Sequence, residues 1–75
     1  MNLKILAKER KIIGQEKYGE LYKSKTFEQL KKEIREELAD ALNYALFIQE
    51  LTGIDMSKWI FGLEALDENL DMIEV

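Results

Sequence analysis

The 75-residue chain contains no cysteine, no histidine and no proline. Without cysteine and histidine, it has neither a disulfide framework nor the thiolate and imidazole ligands of a structural zinc site. No apolar run reaches the roughly 18 residues needed to span a bilayer. The opening stretch, MNLKILAKERK, has a lysine within its apolar part and no small-residue cleavage site, so it is not typical of a secretory signal. We therefore expect a cytoplasmic protein without a membrane partner.

Small size favours one domain, residues 1–75, that is stabilised by association. Hydrophobic residues make up 47% of the chain and charged residues 35%, which is typical of a globular protein. A chain of this length buries only about 60% of the surface that it exposes when unfolded. Because disulfides and zinc are excluded, contact with further copies is the remaining way to stabilise the fold. We expect a homo-oligomer, a dimer or a tetramer.

The net charge of −4 is unevenly distributed. Residues 1–25 carry seven cations and three anions, for a net +4, whereas residues 26–75 carry four cations and twelve anions, for a net −8. An acidic chain is poorly suited to binding the phosphates of a duplex, and we expect no direct nucleic-acid binding. The basic segment would either face a phosphate-bearing ligand or attract the acidic segment, within one chain or between chains.

Apolar periodicity predicts three helices, over about residues 2–18, 27–52 and 57–73. Thr26 is a candidate N-cap of the second helix, with Gln29 completing a capping box, and either Asp55 or Ser57 would cap the third. Gly19 follows the first helix, and a second glycine follows Thr52, as is usual just past a helix end. The predicted fold is all-α: a three-helix, hairpin-like unit with a long central helix, assembling as an oligomeric helical bundle.

Each helix has an apolar face that needs a partner. The first helix has apolar residues on two sides, which indicates burial on two sides. The face of the second is expected to consist of Leu30, Ile34, Leu38, Ala41, Ala45 and Ile48. The third has the spacing of a helix-packing seam, with Trp59, Leu63, Leu66, Leu70 and Ile73. This seam would pack against the second helix or another subunit. Glu64 and Asp67, which lie between its leucines, would face solvent.

Carboxylates form a stripe along one margin of the second helix. In EIREELADALNY, residues 33–44, Glu33, Glu37 and Asp40 stand at i, i+4 and i+7 with Glu36 beside them. Glu37 lies about 20° around the helix from Leu30, almost within the apolar face. Like charges at this spacing destabilise a helix, and partial burial would increase the cost. Either the stripe is an ordinary solvated edge with cationic partners, or the acids hold a hard cation such as Mg²⁺ or Mn²⁺.

The stretch EELADALNYALFIQEL resembles the second half of the signature of MazG-like all-α nucleoside triphosphate pyrophosphohydrolases. That signature has a Glu-x-x-Glu pair on one helix and a Glu-x-x-Asp pair on the next, and residues Glu37 to Asp40 match the second pair. Arg10 and the triplet Lys17-Tyr18-Gly19 also look like short members of the family, so the likeness covers about residues 10–52. The first helix lacks the Glu-x-x-Glu pair, and Glu33 with Glu36 or Glu37 would have to replace it, completed by facing copies in an oligomer.

The resemblance implies a metal-dependent hydrolase that converts a nucleoside triphosphate, ribo or deoxy, into the monophosphate and pyrophosphate. Carried over to this sequence, it places Mg²⁺ or Mn²⁺ on Glu33, Glu37 and Asp40, with Glu36 orienting the attacking water. Cations of the basic segment would neutralise the phosphates, and residues that follow the acids on the second helix would contact the base or sugar. The corresponding residues are Arg10, Lys17 and Lys23 for the phosphates and Asn43 and Tyr44 for the nucleoside.

Two other interpretations remain open. In the first, the chain is a non-catalytic helical oligomerisation or adaptor module, with or without descent from the same fold. Its important surface would then be the seam of the third helix, with Trp59, Leu63, Leu66, Leu70 and Ile73. In the second, the chain is a regulator whose acidic C-terminal half occupies the basic groove of another protein.

Overall fold

The computed structural model describes residues 2–19 and 21–74, apart from the side chains of residues 17, 18, 21 and 22. The described ranges contain helices and no strand, as predicted. The elements in chain order are α1 (Leu3–Tyr18), a 3-10 turn (Leu21–Ser24), α2 (Phe27–Thr52) and α3 (Ser57–Asp71). Among these helices, none combines the length and the apolar character that a bilayer crossing requires.

Both ends of α2 lie where the sequence predicts them. The Thr26 hydroxyl accepts from the backbone N–H of Gln29 at 3.2 Å, and the Gln29 side chain accepts from the N–H of Thr26 at 2.8 Å. This reciprocal capping box satisfies two donors that a helix start leaves unpaired. At the other end, Gly53 adopts the left-handed conformation with φ of 73°, and its N–H donates to the carbonyl of Gln49 at 3.0 Å. Glycine adopts this conformation without steric cost, so α2 ends there.

The start of α3 combines the two predicted caps. Met56 occupies the N-cap position without a side-chain cap bond. One residue earlier, the Asp55 carboxylate accepts from both the backbone N–H and the hydroxyl of Ser57. Both residues therefore organise this helix start, but neither is the N-cap. The helix ends at Asp71, slightly earlier than predicted.

The main packing between helices joins α2 and α3. Ala45 of α2 and Leu70 of α3 are the buried hydrophobic residues of this contact. Arg35, in the first half of α2, pairs with Asp67 and Asp71 at the end of α3, so the two helices run antiparallel. The line of α2 next to α3 consists of Lys31, Arg35, Leu38, Leu42, Ala45 and Gln49.

This contact uses only an edge of each predicted face. On α2, Leu38 and Ala45 are covered, whereas Leu30, Ile34 and Ile48 stay exposed. On α3, Leu63 and Leu70 lie towards α2, and the expected seam residues Trp59, Leu66 and Ile73 are exposed. Asp67 is partly exposed, and its carboxylate also lies 2.8 Å from the Arg35 guanidinium, so it borders the contact with α2. The facing lines of the two helices thus combine apolar residues with oppositely charged ones.

The whole molecule is extended for its size. Its radius of gyration is 14.9 Å, whereas about 11 Å is expected for a compact domain of this length. Its accessible surface is 6794 Å², about 2,000 Å² more than a compact monomer of this mass exposes. Helix α1 contributes to this excess, since Leu3, Ile12 and Ile13 are more than half exposed.

Candidate functional site

The predicted carboxylates lie on the first half of α2, where the capping box fixes the start of the helix. Glu33, Glu36, Glu37 and Asp40 are all exposed. The partial burial expected from their position beside apolar residues is therefore not present within one chain. Any shielding of these groups from water must come from a surface that covers α2.

Glu33 already has a cationic partner. The Lys25 ammonium, just before α2, pairs with its carboxylate, and both side chains remain partly exposed. Glu33 and Glu36 also line a shallow depression with Lys25, Gln29 and Lys32. A lysine beside Glu33 weakens the case for this residue as a metal ligand, because the ion pair and a divalent cation compete for the same oxygens.

One helix cannot bring three acids of this stripe to a single ion. From Glu33 to Asp40 the helix rises by about 10 Å, whereas Mg²⁺ binds oxygens at about 2.1 Å. In keeping with this geometry, no group of three or more acids able to hold a metal ion occurs in residues 2–19 and 21–74 as described. Glu37 and Asp40 are only three residues apart, within one turn, and can converge on one ion if other ligands come from elsewhere.

The predicted substrate residues are dispersed over the three elements before α3. Arg10 lies exposed on α1, and Lys23 lies exposed in the 3-10 turn. The side chain of Lys17 lies outside the described residues. On α2, Asn43 and Tyr44 are exposed, and the Tyr44 ring meets Phe47 edge to face with centroids 6.3 Å apart. A nucleotide contacting all of these groups would need α1 to lie alongside α2.

Glu37 belongs to a line of residues, exposed apart from the half-buried Ala41, that we call the α2 seam. Its members follow the 4-3 spacing of helix-to-helix packing and lie about 100° around α2 from the Arg35 line. They are Leu30, Ile34, Glu37, Ala41, Tyr44, Ile48 and Leu51. Apart from Ala41 and the acid, all are large apolar or aromatic side chains with at least 38% exposure. An exposed, largely apolar line of this length is typical of an interaction surface, and Glu37 would lie inside a contact made there.

The cluster around Arg35 was not predicted from the sequence. Its guanidinium Nε lies 2.8 Å from Asp67, and its Nη1 lies 3.3 Å from Asp71. A groove of about 320 Å³ lies between the helices beside this cluster, lined in part by Leu38, Leu42 and Asp67. The available signal was the 4-3 spacing of Lys31, Arg35, Leu38 and Leu42, which places two cations on a packing line.

No protein-family model matches the chain, and comparison with curated proteins and with solved structures gives no significant match.

Proposed function

We propose that the protein is a cytoplasmic homo-oligomer in which the carboxylates of α2 hold Mg²⁺ or Mn²⁺ and a nucleoside triphosphate is cleaved to the monophosphate and pyrophosphate. The observation that carries this proposal is the position of Glu37 in the otherwise apolar α2 seam. Covering the seam would remove Glu37 from water, and an uncompensated buried carboxylate is costly. A divalent cation shared with Asp40 offsets that cost and gives the acid a role.

The donor chemistry fits a hard divalent cation. Glu37 and Asp40 offer carboxylate oxygens within one helical turn, and Mg²⁺ is typically held by one or two carboxylates together with substrate phosphates. The bound ion would supply Lewis-acid polarisation of the phosphoryl oxygens. The resemblance to MazG-like hydrolases in residues 37–40 points to the same two acids.

The remaining residues have roles that their chemistry permits. Glu36, exposed beside the stripe, orients the water that attacks the α-phosphorus. The α–β phosphoanhydride bond breaks as the new P–O bond forms, and pyrophosphate leaves with the bridging oxygen. Arg10, Lys17 and Lys23 neutralise phosphate charge, and Asn43 with Tyr44 contacts the nucleoside. Glu33 would join the metal ligands only after exchanging Lys25 for the ion.

Thermal melting with divalent ions and pyrophosphate release test this proposal together. A cation at a hundred times its dissociation constant should stabilise the fold by about 2.7 kcal/mol. The gain should disappear in Asp40→Asn and Glu37→Gln. Pyrophosphate release from a panel of ribo- and deoxynucleoside triphosphates should fall in the same variants. Glu50→Gln is the matched control, since Glu50 is an exposed acid of the same helix outside the stripe. Equal traces for the wild type and Asp40→Asn would remove Asp40 from the mechanism.

A second candidate function is a non-catalytic helical assembly module. The Lys25–Glu33 ion pair favours it, because this pair shows that the stripe can be compensated by lysine without a metal. In that case the α2 seam is the functional surface. A stable oligomer whose melting temperature is insensitive to Mg²⁺ and Mn²⁺, and which releases no pyrophosphate, would establish this alternative.

A further inference from the structure

Helix α1 carries a packing line that mirrors the α2 seam. Leu3, Leu6, Arg10 and Ile13 follow one another at spacings of three, four and three, so they share one side of the helix. Arg10 is the single cation of this line, as Glu37 is the single anion of the α2 seam. Each line is therefore apolar except for one charged residue, and the two charges have opposite signs.

Neither line is covered within its own chain. Leu3 is 78% exposed on α1, and Leu51 is 82% exposed on α2. The main helix contact of the described residues joins α2 with α3, and α1 makes no comparable contact with either. Since α1 stays off the seam of its own chain, both lines are available to another copy.

We infer that α1 of a second copy docks on the α2 seam, with Arg10 of each chain opposite Glu37 of its partner. This inference rests on the assembly part of the proposed function. Reciprocal exchange of α1 makes a closed twofold dimer, because each chain offers one arm and one seam. The exchange also brings a cation of the basic segment to the carboxylate stripe. Arg10 pairs with Glu37 in the dimer without metal, and it would move from Glu37 to the substrate phosphates when the divalent cation binds Glu37.

The surface area agrees with an interface of this size. A stable dimer buries about 800 Å² on each partner. The chain exposes 6794 Å², about 2,000 Å² above the value for a compact monomer of its mass. Covering α1 and the α2 seam in each chain would remove much of this excess, and their apolar side chains would supply the driving force.

Charge complementarity also favours α1 of a second copy as the partner of the α2 seam. Residues 1–25 carry a net +4, and residues 26–75 carry a net −8. Arg10 lies within the α1 line, whereas Lys4, Lys8 and Lys11 lie on the other side of α1. Glu33 and Asp40 border the α2 seam. Docking brings Arg10 to Glu37 and the basic segment of one chain near the acidic helix α2 of the other, whereas a contact between two α2 seams would offer Glu37 no cation from either line.

Disulfide trapping tests the arrangement, because the natural chain has no cysteine. An isotope-labelled Arg10→Cys protein and an unlabelled Glu37→Cys protein are mixed, refolded together and oxidised with diamide. We expect a covalent dimer linked between residues 10 and 37 of different chains, identified by mass spectrometry. Ala39→Cys replaces Glu37→Cys as the control, since residue 39 lies at the same height on the opposite side of α2 and should trap several-fold less dimer. Equal trapping at 37 and 39 would overturn the inference.

The double variant R10C/E37C separates exchange from folding back. Exchange predicts disulfide-linked dimers, which run at twice the monomer mass without reductant. If oxidation instead gives only monomers with an internal link, α1 covers the seam of its own chain and the inference is wrong.

Charge reversal supplies an independent measurement by analytical ultracentrifugation. Arg10→Glu and Glu37→Arg should each raise the dimer dissociation constant about tenfold, because each leaves two like charges opposed. The combined R10E/E37R variant should recover most of the loss, with helicity followed by circular dichroism. Additive losses in the combined variant would refute the pairing. If dimers are trapped but the protein does not respond to divalent ions, the interface is supported and the hydrolase proposal is wrong. If pyrophosphate release depends on metal but no dimer is trapped, the hydrolase proposal is supported and the interface is wrong.

Discussion

Arg35 of α2 and Asp67 of α3 form an ion pair across the main helix contact, with Nε 2.8 Å from a carboxylate oxygen. The same guanidinium lies 3.3 Å from Asp71, and Lys31 approaches Asp71 at 4.0 Å. A planar guanidinium can engage two carboxylates at once, which an ammonium cannot do with comparable geometry. This cluster helps to set which edges of the two helices meet.

Replacing Arg35 with methionine should destabilise the fold modestly. Both partners of the closest pair are partly exposed, so we expect a loss of about 1 kcal/mol for the cluster. The loss should shrink in 1 M salt, where screening weakens exposed ion pairs. Urea denaturation at matched protein concentration measures both values.

Lys32→Met is the control for this substitution, because it removes an exposed cation three residues before Arg35 in α2. It should change the free energy of unfolding by less than about 0.5 kcal/mol. If the two variants unfold alike at low and high salt, the Arg35 cluster does not hold α2 and α3 together.

Local chemistry made the limits of α2 predictable from the sequence. Thr26 with Gln29 at the start and Gly53 at the end satisfy backbone groups within a few residues, so no distant contact is needed to place them. The all-α class follows from apolar periodicity in the same way. The end of α3 was less predictable, since its last turn has neither a glycine stop nor a basic residue.

Features that depend on distant contacts were harder to predict. The apolar pattern alone favoured Trp59, Leu66 and Ile73 as packing residues, yet the edge of α3 that carries Asp67 and Leu70 lies against α2. The carboxylate stripe illustrates a different limit. Spacing places Glu37 and Asp40 on one helix, but the ligands that would complete a metal site must come from another element or another copy.

Removing the capping box should destabilise α2 from its first turn. Thr26→Ala loses the hydroxyl that accepts from the N–H of Gln29, and we expect a loss of about 1 kcal/mol. Thr26→Ser keeps the acceptor and should stay within a few tenths of a kcal/mol of the wild type. Chemical denaturation followed by circular dichroism measures the difference. If serine and alanine are equally destabilising, the hydroxyl is not the stabilising group.

The buried contact between α2 and α3 should depend on Leu70 far more than on Leu66. Leu70 is 8% exposed and Leu66 is 57% exposed, although the sequence assigned both to one seam. Leu70→Ala should cost about 2 kcal/mol, because it leaves a cavity in a small core. Leu66→Ala removes the same atoms from the surface and should cost much less, in stability and in oligomer affinity alike. A Leu66→Ala protein that dissociates would show that α3 rather than the α2 seam mediates assembly.

Asp55 makes the stability of the start of α3 depend on pH in the acid range. The Ser57 hydroxyl, and then the Ser57 backbone N–H, donate to its carboxylate and lower its pKa below the ordinary value. A lowered pKa in the folded state means that the charged form stabilises the fold. This contribution is complete above the pKa of the unfolded chain and is lost as the pH falls through the lowered pKa of the folded state.

Titration of the Asp55 carboxyl by NMR should therefore show a pKa below that of an unstructured aspartate. In Ser57→Ala, the pKa should rise most of the way towards the ordinary value, because the larger of the two hydrogen bonds is lost while the backbone N–H still donates. In Asp55→Asn, this part of the acid dependence of unfolding should be missing. An unchanged Asp55 pKa in Ser57→Ala would mean that the hydroxyl does not bind the carboxylate in solution, and the helix start would then rest on the backbone hydrogen bond alone.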